Sequence, residues 1–190
     1  MAERKKRLVV GVSGASGSLL ALDLLKQMRR LENWETHVVI TSSARRTLAL
    51  EIPDAPGCLE KLADFLYDPE DISARIASGS FPTEGMAVVP CSVKTAAGIH
   101  SGYSENLLLR AADVTIKERR PLVLCVRESP LSPIHLRNMQ ELSRLGVHIL
   151  PPMMTFYNRP ASIQDMVRHH TGKIMNIFKE EAEGYARWPR

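Results

Sequence analysis

The feature that most constrains the fold is an apolar segment near the amino terminus that runs directly into a loop of glycine and serine. Residues 8–12 are apolar apart from one glycine, residues 13–17 form the loop, and leucines at helical spacing follow. This order predicts a buried strand, a tight loop and a helix. Because the first amides of a helix attract anions, the loop predicts a phosphate site. The hydroxyls of Ser13, Ser16 and Ser18 are candidate donors to the phosphate oxygens.

The glycine spacing narrows the type of ligand. Gly11, Gly14 and Gly17 give G-x-x-G-x-x-G, which is neither the dinucleotide nor the P-loop fingerprint. The segment after the second predicted strand carries Thr41 where a dinucleotide fold would place an acidic residue for the ribose. A loop lined by hydroxyls suits a terminal monophosphate such as that of FMN. The alternative is that the glycines only form a tight turn and the serines only cap the helix.

Composition excludes several classes of protein. The chain has 190 residues, a net charge of +4 and 5% aromatic residues, which is typical of one soluble domain over residues 1–190. The low aromatic content argues against a nucleic-acid binder. No apolar run approaches the roughly 20 residues that a membrane span needs. Three cysteines without a C-x-x-C pair fit a reducing compartment, so we expect a cytoplasmic protein.

Predicted strands alternate with predicted helices along the chain. Strands are expected at 8–12, 36–40, 86–90, 122–126 and 147–150. Helices are expected at about 18–31, 46–51, 59–66, 104–119 with Ser104 as its cap, 131–145 and 162–178. Another helix is expected to follow the polar residues 92–95 and to run through Ile99. This alternation predicts an α/β fold, in which a mostly parallel sheet is covered by helices on both faces.

Ligands of such sheets bind outside the carboxyl ends of the strands. Every predicted strand end in this chain is followed by hydroxyl-bearing or charged side chains. They are Gly14 to Ser16, Thr41, Ser92 to Thr95, Arg127 with Glu128, and Tyr157. The sequence therefore predicts one polar site that collects these residues.

Longer motifs add a family resemblance. Residues 90–95, 110–122 and 127–136, together with 14–17 and 156–157, resemble the flavin prenyltransferase family, also called UbiX-like. The likeness covers residues 7–178 and leaves a tail at 179–190. It implies a flavodoxin-like or Rossmann-like three-layer fold and a homo-oligomer, typically a dodecamer. It also implies a metal-independent reaction that joins a dimethylallyl group, from dimethylallyl monophosphate or a related phosphate, to N5 and C6 of reduced FMN. The product, prenylated FMN, would serve a separate decarboxylase.

The resemblance also implies roles for individual residues. FMN would be held by Gly14, Ala15, Ser16, Thr41, Ser92, Val93, Lys94, Thr95 and Arg127. The prenyl phosphate would be held by Arg110, Lys117, Tyr157 and Lys173, some of them from a neighbouring subunit. Glu128, Lys117 and Ser16 are the expected catalytic residues, and Phe81 or Tyr103 can shield an allylic cation from water. Cationic side chains and hydroxyls stabilise a departing phosphate without a metal.

Two departures from the family pattern stand near the expected prenyl site. Met154 and Thr155 replace a proline and a small residue, so the wall beside Tyr157 is expected to differ in shape. Lys173 stands where arginine is usual, and lysine lacks the planar fork that binds phosphate through two bonds. We therefore expect weaker or altered phosphate binding.

Structural roles compete with several of these assignments. Arg110 can pair with Asp113 on the helix surface, Glu128 can be a turn residue, and Tyr157 can be a packed loop aromatic. His169 and His170 point to different helix faces, so they are a poor metal pair. His135 and His148 are expected to be structural.

Two other functions also remain open. One is an FMN-binding accessory subunit of an aromatic-acid decarboxylase that catalyses nothing itself. The other is a flavin-dependent decarboxylase of the same fold, which would need a catalytic histidine in the flavin cleft. No histidine directly follows the predicted strand ends, which argues against the second.

Overall fold

The centre of the fold is a six-stranded parallel sheet. A computed structural model describes residues 4–185 and 187–188. The strands are β1 (Lys6–Val12), β2 (Trp34–Ile40), β3 (Phe65–Tyr67), β4 (Gly85–Cys91), β5 (Leu122–Val126) and β6 (His148–Ile149). Their spatial order is β3-β2-β1-β4-β5-β6, and every pair is parallel. The order reverses between β1 and β4, which is where sheets of this kind form a ligand crevice.

Helices cover both faces of the sheet. They are α1 (Ser18–Met28), α2 (Ser42–Glu51), α3 (Cys58–Leu62), α4 (Val93–His100), α5 (Leu107–Lys117), α6 (Pro133–Arg144) and α7 (Ile163–Ile177), with a 3₁₀ turn at Arg75–Ala77. Alternate residues of each strand point to opposite faces. Leu8 and Val10 therefore pack with α1, α3 and α7, while Val9 packs with α4, α5 and α6. The predicted three-layer α/β fold is confirmed.

The close contact between β1 and α5 explains one glycine of the opening segment. A Cβ at Gly11 would lie 3.0 Å from the side chain of Leu108 on α5. Glycine at this position lets the helix approach the central strand. Gly11 therefore serves packing rather than ligand binding.

Several predicted element boundaries are wrong. Phe65–Tyr67 form strand β3 and not the end of a helix, because the Asp64 carboxylate accepts from the amide and hydroxyl of Thr36 at 2.8 and 2.9 Å and aligns the chain beside β2. Helix α5 begins at Leu107, since the side chain of Asn106, and not Ser104, caps it. Helix α2 begins earlier than predicted, at Ser42, and β6 is only two residues long.

Within residues 4–185 and 187–188, no helix combines the length and the apolar character that crossing a bilayer requires.

Candidate functional site

The loops after β1 and β4 are joined by one buried side chain. Ser13 is only 2% exposed. Its hydroxyl donates to the carbonyl oxygen of Pro90 at 3.0 Å and accepts from the amide of Ser92 at 2.7 Å. The prediction that Ser13 donates to a ligand phosphate is therefore wrong, because its hydroxyl holds two strand ends together.

The amino terminus of α1 is occupied by an acidic side chain of the chain itself. The Glu51 carboxylate accepts from the amides of Gly17 at 3.1 Å and Ser18 at 2.7 Å. Burial alone would raise the pKa of Glu51, but hydrogen bonds led by those from the Ser16 and Ser18 side chains outweigh burial and lower this pKa. The predicted phosphate position at this helix end is consequently filled by a carboxylate.

Glu51 is a residue of the site that sequence reasoning missed. It closes α2 and lies 34 residues along the chain from Gly17. No local pattern links these two positions. The only available signal was an acidic residue at a helix end that leads towards Pro53.

The amino terminus of α4 is arranged differently. The Ser92 hydroxyl caps the helix by accepting from the amide of Thr95 at 3.2 Å, and it donates to the Thr95 hydroxyl at 3.0 Å. Lys94 is exposed beside them. Hydroxyls, an ammonium group and the positive end of a helix dipole together favour an anion.

A cavity of about 260 Å³ opens at this helix end. Thr41, Ser42 and Ser43 line it from α2, and Ser92, Lys94 and Thr95 line it from α4. Its volume is below the roughly 300–1,000 Å³ that encloses a drug-sized ligand. The cavity therefore fits the phosphate end of a larger ligand rather than an entire flavin.

Gly14 allows α2 to approach the loop after β1. A Cβ at Gly14 would lie 2.6 Å from the Ser43 side chain, so a larger residue would displace α2. Thr41 caps α2 by accepting from the amide of Ala44 at 3.2 Å, and it donates to the carbonyl oxygen of Val12 at 3.3 Å. These contacts place Gly14 and Thr41 at the adjacent carboxyl ends of β1 and β2.

The remaining predicted FMN residues lie along the same edge. The Arg127 amide donates to the carbonyl oxygen of Cys91 at 2.9 Å, so the exits of β4 and β5 are adjacent. Ala15 is buried, Val93 is half-buried, and the Arg127 and Glu128 side chains are exposed. Because β2, β1, β4 and β5 are consecutive in the sheet, the structure brings the predicted FMN residues and Glu128 to one edge.

Arg110 and Lys117 share a face of α5, as their spacing predicted, and both lie against the segment of residues 77–79. Arg110 donates from Nε to the carbonyl oxygen of Ala77 at 3.2 Å and pairs with Asp113 at 2.8 Å. Lys117 lies about 10 Å further along the helix axis. Its ammonium pairs with Glu118 and would be 2.7 Å from a Cβ at Gly79. Both cations therefore face the loop that precedes β4.

Tyr157 and Lys173 lie in the other helix layer. The Tyr157 hydroxyl is 3.4 Å from Nε2 of His169 on α7, and its ring packs 4.7 Å from that of Trp188. Lys173 is exposed one turn beyond His169. Since α7 packs with α1 and α5 covers the opposite face, a single chain does not gather the four predicted prenyl-phosphate residues.

Arg110, Glu128 and His135 each form a contact of the kind that a structural role predicts. The Arg110–Asp113 pair exists, although an exposed pair of this kind contributes only a few tenths of a kcal/mol. The Glu128 carboxylate accepts from the amide of Ser129 at 2.9 Å. His135 completes a capping box, because its Nδ1 accepts from the amide of Ser132 at 3.2 Å, so its predicted structural role is confirmed.

Among the residues that the structure describes, no three histidine, cysteine, aspartate or glutamate side chains cluster in a way that could hold a metal ion. All three cysteines are free, and burial raises the pKa of both Cys91 and Cys125.

Comparison with known proteins identifies the family. The flavoprotein family model matches residues 1–177. A probable UbiX-like flavin prenyltransferase from Sedimentibacter hydroxybenzoicus is 50% identical over 182 residues, which is 96% of each chain. This chain belongs to the UbiX-like flavin prenyltransferases. The resemblance drawn from the motifs is thereby confirmed.

Solved structures of UbiX-like proteins agree with the fold. A dodecameric FMN-dependent UbiX-like decarboxylase from Escherichia coli O157:H7 has a TM-score of 0.94 and 47% identity, covering 97% of this chain and 100% of that one. AnUbiX (PadA1), solved with FMN and dimethylallyl pyrophosphate, has a TM-score of 0.95 and 44% identity, covering 98% and 99%.

Proposed function

We propose that this protein transfers a dimethylallyl group from dimethylallyl phosphate to N5 and C6 of reduced FMN. The carbon–oxygen bond of the prenyl phosphate breaks and its electron pair leaves with the phosphate. C1 of the prenyl group bonds to N5, which loses its proton. The prenyl double bond then takes up a proton at C2, and C3 bonds to C6, which loses its proton in turn, so the flavin gains C5H8. The observation that carries the proposal is the open, hydroxyl-lined end of α4, in a family whose member AnUbiX was solved with FMN and dimethylallyl pyrophosphate.

The FMN phosphate would bind at α4. Ser92 and Thr95 supply hydroxyls, Lys94 supplies a positive charge, and Thr41 faces them across the cavity. The flavin would extend from there along the strand ends, past Gly14, Ala15 and Ser16, towards Val93 and Arg127. An alternative phosphate position at α1 is disfavoured, because Glu51 would repel the anion there.

The prenyl transfer would take place on the side of the β1 loop that is remote from the FMN phosphate at α4. Glu128 is an exposed carboxylate at the β5 exit and can accept a proton released during alkylation. Ser16 directly precedes the first amides of α1, and its side chain helps to lower the pKa of Glu51. Lys117 would stabilise the departing phosphate as a point charge.

Arg110 and Lys117 would come from a second copy of the chain. In one chain both residues face the loop before β4, in the helix layer opposite Tyr157 and Lys173. The dodecameric assembly of the Escherichia coli relative supports contact between such half-sites. We therefore propose a homo-oligomer, a dodecamer as in that relative, with active sites shared between subunits.

The chain would form one domain, act in the cytoplasm without a metal, and supply prenylated FMN to a separate decarboxylase. The family resemblance supports these properties, and cationic and hydroxyl groups can replace a metal at a leaving phosphate.

Anaerobic incubation of the purified protein with reduced FMN and dimethylallyl phosphate tests the proposal. We expect a flavin whose mass has increased by one C5H8 unit, with release of inorganic phosphate, both unaffected by a metal chelator. FMN that binds but remains unmodified would overturn the proposal in favour of an accessory subunit.

A decarboxylase activity is the second candidate, because the Escherichia coli relative is described as an FMN-dependent UbiX-like decarboxylase. Incubation of the FMN-loaded protein with a hydroxylated aromatic acid distinguishes the two. Carbon dioxide release without a partner enzyme would favour the second candidate.

A further inference from the structure

Tyr157 lies in a loop that provides little to orient a phenol. Residues 151–156 have no helix or strand, and the Tyr157 side chain is 37% exposed. A side chain that must direct a hydroxyl at a ligand needs a fixed partner. The partner that the structure provides is His169, at 3.4 Å from the Tyr157 hydroxyl oxygen to Nε2.

His169 is held more firmly than the loop it contacts. It belongs to α7 and is only 2% exposed. The rings of Tyr157 and His169 are nearly perpendicular, with centroids 5.6 Å apart. On another side, the Tyr185 ring lies 5.2 Å from the imidazole. Tyr185 in turn is seated against Gly172, where a Cβ would lie 2.5 Å from its ring. The imidazole is therefore fixed between two aromatic rings.

The two ring nitrogens of His169 have different surroundings. Nε2 faces the Tyr157 hydroxyl, while Nδ1 is buried and has no hydrogen-bond partner among the described residues. An unpaired buried N–H is rarer in proteins than an unpaired acceptor. The proton of a neutral His169 is therefore better placed on Nε2, which leaves Nδ1 as the unpaired acceptor.

The surroundings of the imidazole favour its neutral form. Burial, and after it the charge of Lys173, lower the pKa of His169 below its ordinary value. The groups that lie against or act on the imidazole include Lys173 on α7, Tyr157 from the loop and Tyr185 from the tail.

We infer that His169 is a positioning residue that donates from Nε2 to the Tyr157 oxygen, so that the proton of Tyr157 points to the prenyl phosphate. This inference rests on the proposed function. A phosphate only accepts hydrogen bonds, so it needs the phenol as a donor. With the proton on Nδ1, the imidazole would instead accept the phenolic proton and compete with the phosphate. Lys173, four residues after His169 on the same helix face, would meet the same phosphate.

The test measures the dissociation constant of dimethylallyl phosphate with protein loaded with oxidised FMN, which needs no turnover. We expect His169→Leu to weaken binding about five- to tenfold, the effect of one lost hydrogen bond. His169→Gln, whose amide nitrogen takes the place of Nε2, should restore most of the affinity. His170→Gln is the matched control, because His170 is equally buried, also carries an unpaired nitrogen and does not contact Tyr157. This control should leave the affinity unchanged.

The background variant Tyr157→Phe decides whether His169 acts through the phenol. His169→Leu should have no further effect there, and an undiminished effect would overturn the inference. Nitrogen-15 NMR of the imidazole in the unliganded protein gives a second readout, and a dominant Nδ1–H tautomer would also overturn it. Normal binding and the expected tautomer without prenyl transfer would refute the proposed reaction but leave the positioning role intact. No binding by the unmodified protein would refute both.

Discussion

The helices that follow β1 and β4 begin side by side, but among the residues that the structure describes only the first has a negatively charged side chain of the protein bound at its amino terminus. At α1 the amides of Gly17 and Ser18 are bound by the carboxylate of Glu51. At α4 the Ser92 hydroxyl forms a cap and a cavity remains beside it. In this structure the first amides of α1 already receive an anion from another part of the chain, whereas the beginning of α4 opens onto a cavity.

The strongest test of this difference removes the hydroxyls at α4. Ser92→Ala combined with Thr95→Ala should weaken FMN binding about 100-fold, because hydrogen bonds to a charged group contribute about 1.5–3 kcal/mol each and are not fully additive. Titration of flavin fluorescence measures the affinity. Ser18→Ala, a serine at the corresponding end of α1, is the matched control and should change FMN affinity less than twofold. Equal losses at the two helix ends would refute the assignment of the phosphate to α4.

A larger residue at Gly14 should disturb the contact between the loop after β1 and helix α2. Gly14→Ala places a methyl group 2.6 Å from Ser43, so we expect a loss of about 1–3 kcal/mol in the free energy of unfolding. FMN affinity should fall as well, because Ser43 lines the cavity. Chemical denaturation with and without FMN measures both effects. Gly102→Ala is a control in an open turn, although its positive φ of 68° adds a small backbone cost of its own. A Gly14 variant as stable as the original protein would show that α2 can move aside.

Neutralising Glu51 should affect stability and spare FMN affinity. Glu51→Gln removes the charge that meets the first amides of α1, and the partly exposed position limits the expected loss to about 1 kcal/mol. Urea denaturation at neutral pH gives the free energy of unfolding. If FMN bound much more tightly to the variant, the phosphate would be competing for α1, and the comparison between the two helix ends would fail.

Acid should remove the same stabilisation from the unmodified protein. The pKa of Glu51 is lower in the folded chain than its ordinary value of 4.5. Its contribution is therefore fully present above pH 4.5 and is lost as the pH falls through the lower folded value. The difference in stability between the original protein and Glu51→Gln should shrink over this acidic range. A difference that does not depend on pH would assign the effect to packing.

The smallest expected effect is electrostatic. Lys94 is exposed at the α4 end, so Lys94→Gln should weaken FMN binding only a few-fold at physiological salt. The loss should diminish further as salt is raised, and titrations at two salt concentrations test this. An effect as large as that of the double hydroxyl variant would mean that Lys94 is buried by the flavin when FMN binds.

Residues close in sequence to the strand ends were predictable, and contacts between distant segments were not. The polar exits after β1, β2, β4 and β5 follow from the alternation of strands and helices, which places their carboxyl ends at one edge. The shared face of Arg110 and Lys117 follows from helical periodicity, although its orientation towards the loop before β4 does not. Glu51 was missed because its partners lie 34 residues away. Strand β3 was missed because three residues at a sheet edge carry too short a pattern.

The double hydrogen bond of Ser13 has a thermodynamic consequence for binding. Since one hydroxyl ties Pro90 and Ser92 to the first strand, the chain itself holds the crevice walls in place. Association then costs little ordering of the backbone, so more of the contact energy appears as affinity. The Ser92 amide should accordingly exchange its hydrogen slowly even without ligand, and Ser13→Ala should make that exchange fast.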